Sequence, residues 1–160
     1  MNKPHSYNVR KIVMVILIPV IALLSYATYI TRRAEARDRL QTEISHLIVQ
    51  YRNGETQSID LSKVSLISWD RLYIFGPYVQ LKSIQNSLGY SWRPDTFFFP
   101  GPERAFNYLF FTRNGKVIQY VEYPLDWGNF AEKDRKVEGY IPSEAHFIIN
   151  TYGYIFWSEE

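Results

Sequence analysis

The hydrophobic pattern of the chain begins with an uncharged run over residues 12–30, from Ile12 to Ile30. A helix over these 19 residues rises about 28 Å, close to the ~30 Å thickness of the hydrocarbon core of a bilayer. Lys3, Arg10 and Lys11 precede the run, in a short basic leader over residues 1–11. This pattern predicts a transmembrane helix, with the lipid bilayer as its partner.

A signal peptide cleaved near Ala27 is the alternative interpretation of the same segment. A basic leader, an apolar run to Leu24 and a small-residue site at Ser25-Tyr26-Ala27 resemble the three regions of such a peptide. Apolar character continues through Tyr29 and Ile30, however, where an interfacial aromatic belt is expected. We therefore expect a retained signal-anchor helix. Lys and Arg are nearly balanced across the run, but an early span behind a short leader favours an extracytoplasmic domain.

The pattern changes after residue 30 to a helical one with a single apolar stripe. The stripe consists of Leu40, Ile44, Leu47, Ile48 and Tyr51. Spacings of three and four residues place these side chains on one face of a helix. Residues 31–56 are therefore predicted to form a juxtamembrane amphipathic helix that ends near Gly54.

Residues 57–160 have the pattern of an aromatic-rich α+β domain. Short strands are indicated at residues 58–61, 66–68, 71–75, 145–150 and 154–157, a helix at 81–88 before Gly89, and irregular structure at 125–139. We expect a compact domain in which an antiparallel sheet of about four to five strands packs on one or two helices.

A β-hairpin is the strongest local prediction. Residues 106–112 and 117–123 flank Asn114-Gly115, the pair preferred in a two-residue type I′ turn. Such a turn pairs Phe111 with Ile118, Leu109 with Tyr120, and Tyr108 with Val121. Because both faces of the first strand are apolar, we expect that strand to lie in the centre of its sheet.

Composition narrows the classes of function. The absence of cysteine excludes disulfides, thiol chemistry and a lipidated cysteine. The part of the chain after residue 30 carries 15 basic and 16 acidic side chains, and nucleic-acid-binding domains usually carry a basic patch. We therefore expect no nucleic acid partner. The densest basic stretch, residues 32–39, follows the apolar run and suits lipid headgroups.

One stretch carries a resemblance. Residues 69–78 read Trp-Asp-Arg-Leu-Tyr-Ile-Phe-Gly-Pro-Tyr, and Leu88-Gly89 and Asn114-Gly115-Lys116-Val117 follow. This WDxLYIFGPY motif resembles a family of small uncharacterised bacterial membrane-anchored or lipoprotein-type proteins. The resemblance covers residues 60–123 and implies a bacterial envelope location, with no activity to transfer. It departs from the lipoprotein type because the chain has no lipidated cysteine.

The same stretch is a candidate interaction surface with two interpretations. In the functional one, Asp70 and Arg71 form a polar pair at the mouth of a pocket walled by Trp69 and Tyr78. In the structural one, a capping aspartate begins a core strand that ends at Gly76-Pro77. The structural interpretation is favoured.

Two further aromatic stretches are candidate interaction surfaces. Phe97, Phe98 and Phe99 precede Pro100-Gly101-Pro102 and either fill the core or form an exposed apolar loop that contacts a partner. Trp127 either covers a sheet edge or stacks on a sugar, and the sheet edge is the commoner role.

The sequence contains no pattern that indicates catalytic, cofactor-binding or metal-binding residues. His5, His46 and His146 share no metal-ligand spacing. We therefore expect no cofactor, and a single-pass envelope protein without enzymatic activity that binds another protein, of a toxin-neutralising or assembly-accessory type. The alternative is a small envelope hydrolase or ligand-binding enzyme that uses Asp70, Glu122 or Asp126 in an aromatic cleft.

Overall fold

The computed structural model describes residues 6–56, 58–94, 105–130 and 136–158, with side chains from Met14 onward. The chain divides into two compact units, Met1–Glu35 and Ala36–Glu160. In chain order the elements are α1 (Ser6–Arg52), β1 (Ile59–Asp60), β2 (Arg71–Phe75), α2 (Leu81–Leu88), β3 (Phe106–Arg113), β4 (Lys116–Pro124), β5 (Asn129–Phe130), β6 (His146–Ile149) and β7 (Tyr154–Trp157). Short 3₁₀ helices occupy Leu61–Lys63, Leu125–Trp127 and Pro142–Glu144.

The first unit consists of the amino-terminal part of α1, with Pro19 inside the helix. From Met14 to Tyr29 its large apolar side chains are at least 45% exposed. In the described part of the chain, α1 contains an 18-residue window of mean hydropathy 2.0 with none of it buried. The predicted long apolar helix is therefore confirmed, and its length and composition suffice for a transmembrane anchor or a signal sequence.

The second unit begins with the remainder of α1, whose apolar stripe packs into a core. Leu40, Ile44 and Ile48 are fully buried, and Leu47 and Tyr51 pack against the same cluster. The amphipathic pattern that begins after residue 30 thus identifies the helical face that the domain buries.

The strands form two sheets. One has the order β2-β3-β4 and is antiparallel throughout. The other has the order β1-β6-β7-β5, in which β5 runs parallel to β7 and the remaining pairs are antiparallel. The α+β class is confirmed, with the strands divided between sheets of three and four.

Strand β3 is central in the three-stranded sheet, and each of its faces meets a different hydrophobic core. Leu109 and Phe111 belong to the first core, which includes the α1 stripe. Tyr108 and Phe110 belong to the second core, together with Ile84 of α2. Alternation along the strand sends neighbouring side chains to opposite faces, which explains why this segment is apolar at consecutive positions.

The turn of the hairpin forms as expected, but the predicted cross-strand pairs are wrong. Asn114 and Gly115 have φ of 53° and 70°, as a type I′ turn requires. The register shifts at Phe111, so that Phe111 pairs with Gln119, Leu109 with Val121, and Tyr108 with Glu122. Ile118 is the extra residue of a β-bulge.

The bulge has a packing reason. Ile118 and Val121 both pack on the first core, although they are three positions apart. Val117 and Tyr120 both pack on the second core at the same spacing. An uninterrupted strand would direct residues three apart to opposite faces, so one extra residue is needed to bury all four side chains.

Two other segments differ from expectation. Residues 66–68 form no strand, because the Glu43 carboxylate of α1 accepts hydrogen bonds from the backbone N–H of Ser65 at 2.8 Å and Leu66 at 3.4 Å. Residues 125–139, expected to be irregular, contain β5, which is held by its pairing with β7.

Candidate functional site

The first three residues of the predicted interaction surface have structural contacts. Trp69 is buried in the first core and packs edge-on against Phe111, with ring centroids 5.4 Å apart. The Asp70 carboxylate accepts hydrogen bonds from the Thr112 hydroxyl at 3.2 Å and from the Asn114 backbone N–H at 2.6 Å. Asp70 therefore joins the start of β2 to the hairpin, which agrees with the structural interpretation.

Arg71 and Tyr78 lie on different parts of β2 and its flanks. The Arg71 guanidinium donates to the backbone oxygen of Glu138 at 2.8 Å. Tyr78 follows the other end of the five-residue strand from Trp69, is 61% exposed and has φ of +69°. The structure thus separates Trp69 from Tyr78 by the length of β2. Phe97, Phe98 and Phe99 lie outside the described residues.

A serine, an aspartate and a histidine meet at the start of β6. The same Asp60 carboxylate oxygen lies 3.8 Å from His146 Nδ1 and accepts hydrogen bonds from the backbone N–H and hydroxyl of Ser62. The carboxylate lies between serine and histidine, whereas a catalytic triad places the imidazole there. This cluster caps the 3₁₀ helix Leu61–Lys63 and supports the β1–β6 pair.

The acids considered for hydrolysis have separate positions. Asp70 is held by the hairpin, Glu122 lies opposite Tyr108 on β4, and Asp126 is exposed in the 3₁₀ helix Leu125–Trp127. Within the described ranges, no group of three His, Asp or Glu side chains is arranged to hold a metal ion.

An open cleft of about 630 Å³ lies where α1 ends beside the β6–β7 turn. From the α1 side, the lining includes Tyr51, Arg52 and Thr56, and from the turn it includes Asn150 and Thr151. All of these residues belong to the second unit. We call this space the α1-end cleft.

The α1-end cleft is rich in hydrogen-bond donors. The Arg52 guanidinium donates from one nitrogen to the Trp127 backbone oxygen at 3.0 Å. The Asn150 side-chain oxygen accepts from the backbone N–H groups of Tyr152 and Tyr154, both at 3.0 Å. Thr56 Oγ1 is enclosed and makes no hydrogen bond within the described part of the chain. The other N–H groups of Arg52 and the NH₂ group of Asn150 can donate to an acceptor placed in the cleft.

Two exposed aromatic side chains adjoin the α1-end cleft. Tyr152 lies between the lining residues Thr151 and Gly153 and is 85% exposed. Trp127, whose backbone oxygen contacts Arg52, is 48% exposed and packs edge-on against Tyr123 at 6.0 Å. Of the residues predicted from sequence, Trp127 is the one whose backbone contacts a lining residue of this cleft.

The surroundings of the Tyr123 phenol change its pKa. Burial in the first core raises its pKa above 10.0, because the charged phenolate is poorly solvated there. A hydrogen bond with Ser45 and the positive charge of Arg52 lower that pKa by smaller amounts. The neutral phenol therefore persists to higher pH in the folded chain.

Sequence reasoning did not find the α1-end cleft. Tyr51 belongs to the predicted apolar stripe, and Tyr152 lies between the strands predicted at 145–150 and 154–157. The available signal was the tyrosine itself, since hairpin turns favour Gly, Asn and Asp over a large aromatic residue.

Comparison with protein family models, with curated proteins and with solved structures finds no match to this chain. The resemblance carried by residues 69–78 stays a prediction.

Proposed function

We propose that this chain is a single-pass protein of the bacterial envelope whose extracytoplasmic domain binds another protein. The proposed anchor is residues 12–30. In support, the apolar side chains from Met14 to Tyr29 lie exposed on the helix surface. Exposed apolar area costs roughly 25 cal/mol per Å² in water, and a bilayer removes that cost.

The anchor is tested by placing charge in the apolar run of the full-length chain. An Ile18→Arg/Ile21→Arg double variant places two cations near the middle of a bilayer, each costing about 2.5–3.5 kcal/mol on insertion scales. We expect the wild-type chain to resist carbonate extraction from membranes and the double variant to be released. The control is Thr31→Arg, which adds charge outside the run and should stay bound. Release of the wild-type chain would reject the anchor.

The side of the membrane and the retention of the anchor need separate tests. Protease added to intact spheroplasts should digest the domain while a cytoplasmic marker survives. Amino-terminal sequencing of the membrane-bound chain should begin at residue 1 or 2. A mature chain that begins near Thr28 would instead support secretion after signal cleavage.

The observation that carries protein binding is the composition around the α1-end cleft. Arg52, Trp127 and Tyr152 are exposed and adjoin one concave surface. Arginine, tryptophan and tyrosine are the residue types most enriched among binding hot spots in protein interfaces. The cleft volume lies within the range of about 300–1,000 Å³ that is usual for ligand sites.

A photo-crosslinking residue at Tyr152 tests this role in living cells. We expect illumination to produce an adduct that is larger than the 19.0 kDa chain by the mass of a second protein. As a control, the photo-crosslinking residue replaces Arg113, which is exposed at the end of β3, and it should give no adduct there. Equal yields at the two positions, or none at Tyr152, would contradict binding at the cleft.

A further inference from the structure

We propose that the α1-end cleft recognises a carboxylate group on a peptide chain, presented either as a free carboxyl terminus or as an acidic side chain. This inference rests on the proposed function, because it names the chemistry of the protein partner. Arg52 and Asn150 supply the hydrogen bonds, and the neighbouring aromatic residues contact the rest of the peptide.

Arg52 supplies the positive charge. A guanidinium carries five N–H donors, and one nitrogen of Arg52 is engaged with the Trp127 backbone oxygen. That contact fixes the side chain beside the cleft while other donors remain for an acceptor. Arginine matches the two oxygens of a carboxylate with two parallel hydrogen bonds.

Asn150 adds a neutral donor. The Asn150 side-chain oxygen is occupied by two backbone N–H groups, at Tyr152 and Tyr154, which leaves its NH₂ group to donate. Asn150 lines the cleft, so this donor adds to those of Arg52.

Among the described residues, the lining of the cleft contains no Asp or Glu side chain. Glu55, the nearest acid along the chain, accepts a hydrogen bond from the Asn53 side chain at 3.2 Å. The carboxyl end of α1 carries a partial negative charge that disfavours an anion. Backbone hydrogen bonds from Asn53 and Glu55 to the carbonyls of Val49 and Gln50 reduce that charge, and the Arg52 cation offsets the remainder.

A peptide fits the cleft better than a small inorganic anion. The volume of about 630 Å³ exceeds what one carboxylate needs and accommodates adjoining residues. Ile149 in the lining and Tyr152 and Trp127 beside it offer apolar contacts. In the proposed complex, the donors of the cleft bind the carboxylate, and the aromatic rings contact an apolar side chain next to it.

The test uses the full-length chain in detergent micelles and three peptides that are acetylated at the amino terminus. The probes are Ala-Ala-Leu with a free carboxyl terminus, Ala-Ala-Leu-amide, and Ala-Glu-Ala-amide, and their binding is measured by isothermal titration calorimetry. If the partner presents its terminus, the first peptide binds at least tenfold more tightly than the other two. If it presents an acidic side chain, the third binds most tightly. Equal binding of all three, or none, overturns the proposal.

Two variants locate the binding. Asn150→Asp keeps the oxygen acceptor of the turn while it removes the NH₂ donor and adds a negative charge. Arg52→Gln removes the cation, and Arg113→Gln is the matched control at another exposed arginine. We expect each cleft variant to weaken the preferred peptide about tenfold or more, which is the fold-change of one lost charge-assisted hydrogen bond, and the control to leave it unchanged. Unchanged affinity in both cleft variants would overturn the assignment.

The two proposals fail differently. An adduct at Tyr152 without any preference for a carboxylate would retain protein binding and reject the chemistry inferred here. Carboxylate-dependent binding in the peptide assay without a protein adduct in cells would reject protein binding and leave a site for a small carboxylate ligand.

Discussion

The carboxylate of Asp70 accepts a hydrogen bond from the backbone N–H of Asn114 at 2.6 Å, across 44 positions of the chain. Its other oxygen accepts from the Thr112 hydroxyl, and the Asp70 backbone N–H donates to the Thr112 carbonyl. One aspartate therefore links the entrance of β2 to the end of β3 and to the first residue of the β3–β4 turn. This relationship gives a structural reason for the Trp-Asp-Arg sequence that stands out in the chain.

Replacing Asp70 with alanine should destabilise the domain by about 1–3 kcal/mol, because it removes two side-chain hydrogen bonds and leaves the Asn114 N–H without its acceptor. Asp70→Asn retains one acceptor and should cost less. Thermal unfolding of the full-length chain in detergent measures both effects. Asp126→Ala, at an exposed carboxylate, is the control and should stay within about 0.5 kcal/mol of wild type. An Asp70→Ala chain as stable as the control would mean that the link contributes nothing.

The elements of the domain were predictable where one local rule dominates. The stripe from Leu40 to Tyr51 follows helical spacing. Asn114 and Gly115 are the residue types preferred in a type I′ turn, which requires positive φ at both central positions. The register of the hairpin was not predictable in this way. The bulge at Ile118 allows β4 to bury side chains in both hydrophobic cores, and the sequence of the strand alone does not reveal where those cores lie.

The candidate site was less accessible to sequence reasoning, for a physical reason. The α1-end cleft joins Tyr51 and Arg52 to Asn150 and Thr151, about a hundred positions away, through packing that no local pattern encodes. Exposed Trp127 could be singled out as an aromatic residue in a charged stretch. Tyr152 offers only its residue type as a signal, because the turn that exposes it joins two strands whose pairing depends on tertiary contacts.

Gly139 should tolerate alanine poorly. Its φ is +75°, and a Cβ there would lie 2.8 Å from the backbone oxygen of Leu72, which accepts a hydrogen bond from Tyr140. The strained backbone and the clash together should cost more than about 2 kcal/mol in unfolding free energy. Gly89→Ala is the matched control, since Gly89 has φ of +76° with no atom within 4 Å of its Cβ position. It should lose only about 1–2 kcal/mol. Equal losses in urea unfolding would show that β2 moves to accommodate the methyl group.

The stability of the domain should fall as the pH rises above 10, and Tyr123 should account for part of this loss. Burial raises the pKa of its phenol in the folded chain, so above pH 10 the unfolded chain releases this proton first and is favoured. The Tyr123→Phe chain lacks the hydrogen bond with Ser45 and should therefore be less stable than wild type at pH 8. Between pH 10 and 11 its unfolding free energy should fall less steeply than that of wild type. Urea unfolding at several pH values measures the slopes, and equal slopes for the wild-type and Tyr123→Phe chains would contradict the role of Tyr123.

Tyr152→Ala should separate binding from folding. The side chain is 85% exposed, so its truncation should change the unfolding free energy by less than about 0.5 kcal/mol. Hot-spot tyrosines typically contribute more than 1 kcal/mol to binding, so a crosslinking residue moved to Trp127 should give far less adduct in the Tyr152→Ala chain. Phe147→Ala supplies the opposite pattern: it empties a buried site between Phe130 and Tyr140 and should cost about 3–5 kcal/mol of stability. If Tyr152→Ala keeps full adduct yield, the partner contacts a different surface; if it unfolds the domain, the exposed tyrosine has a structural role instead.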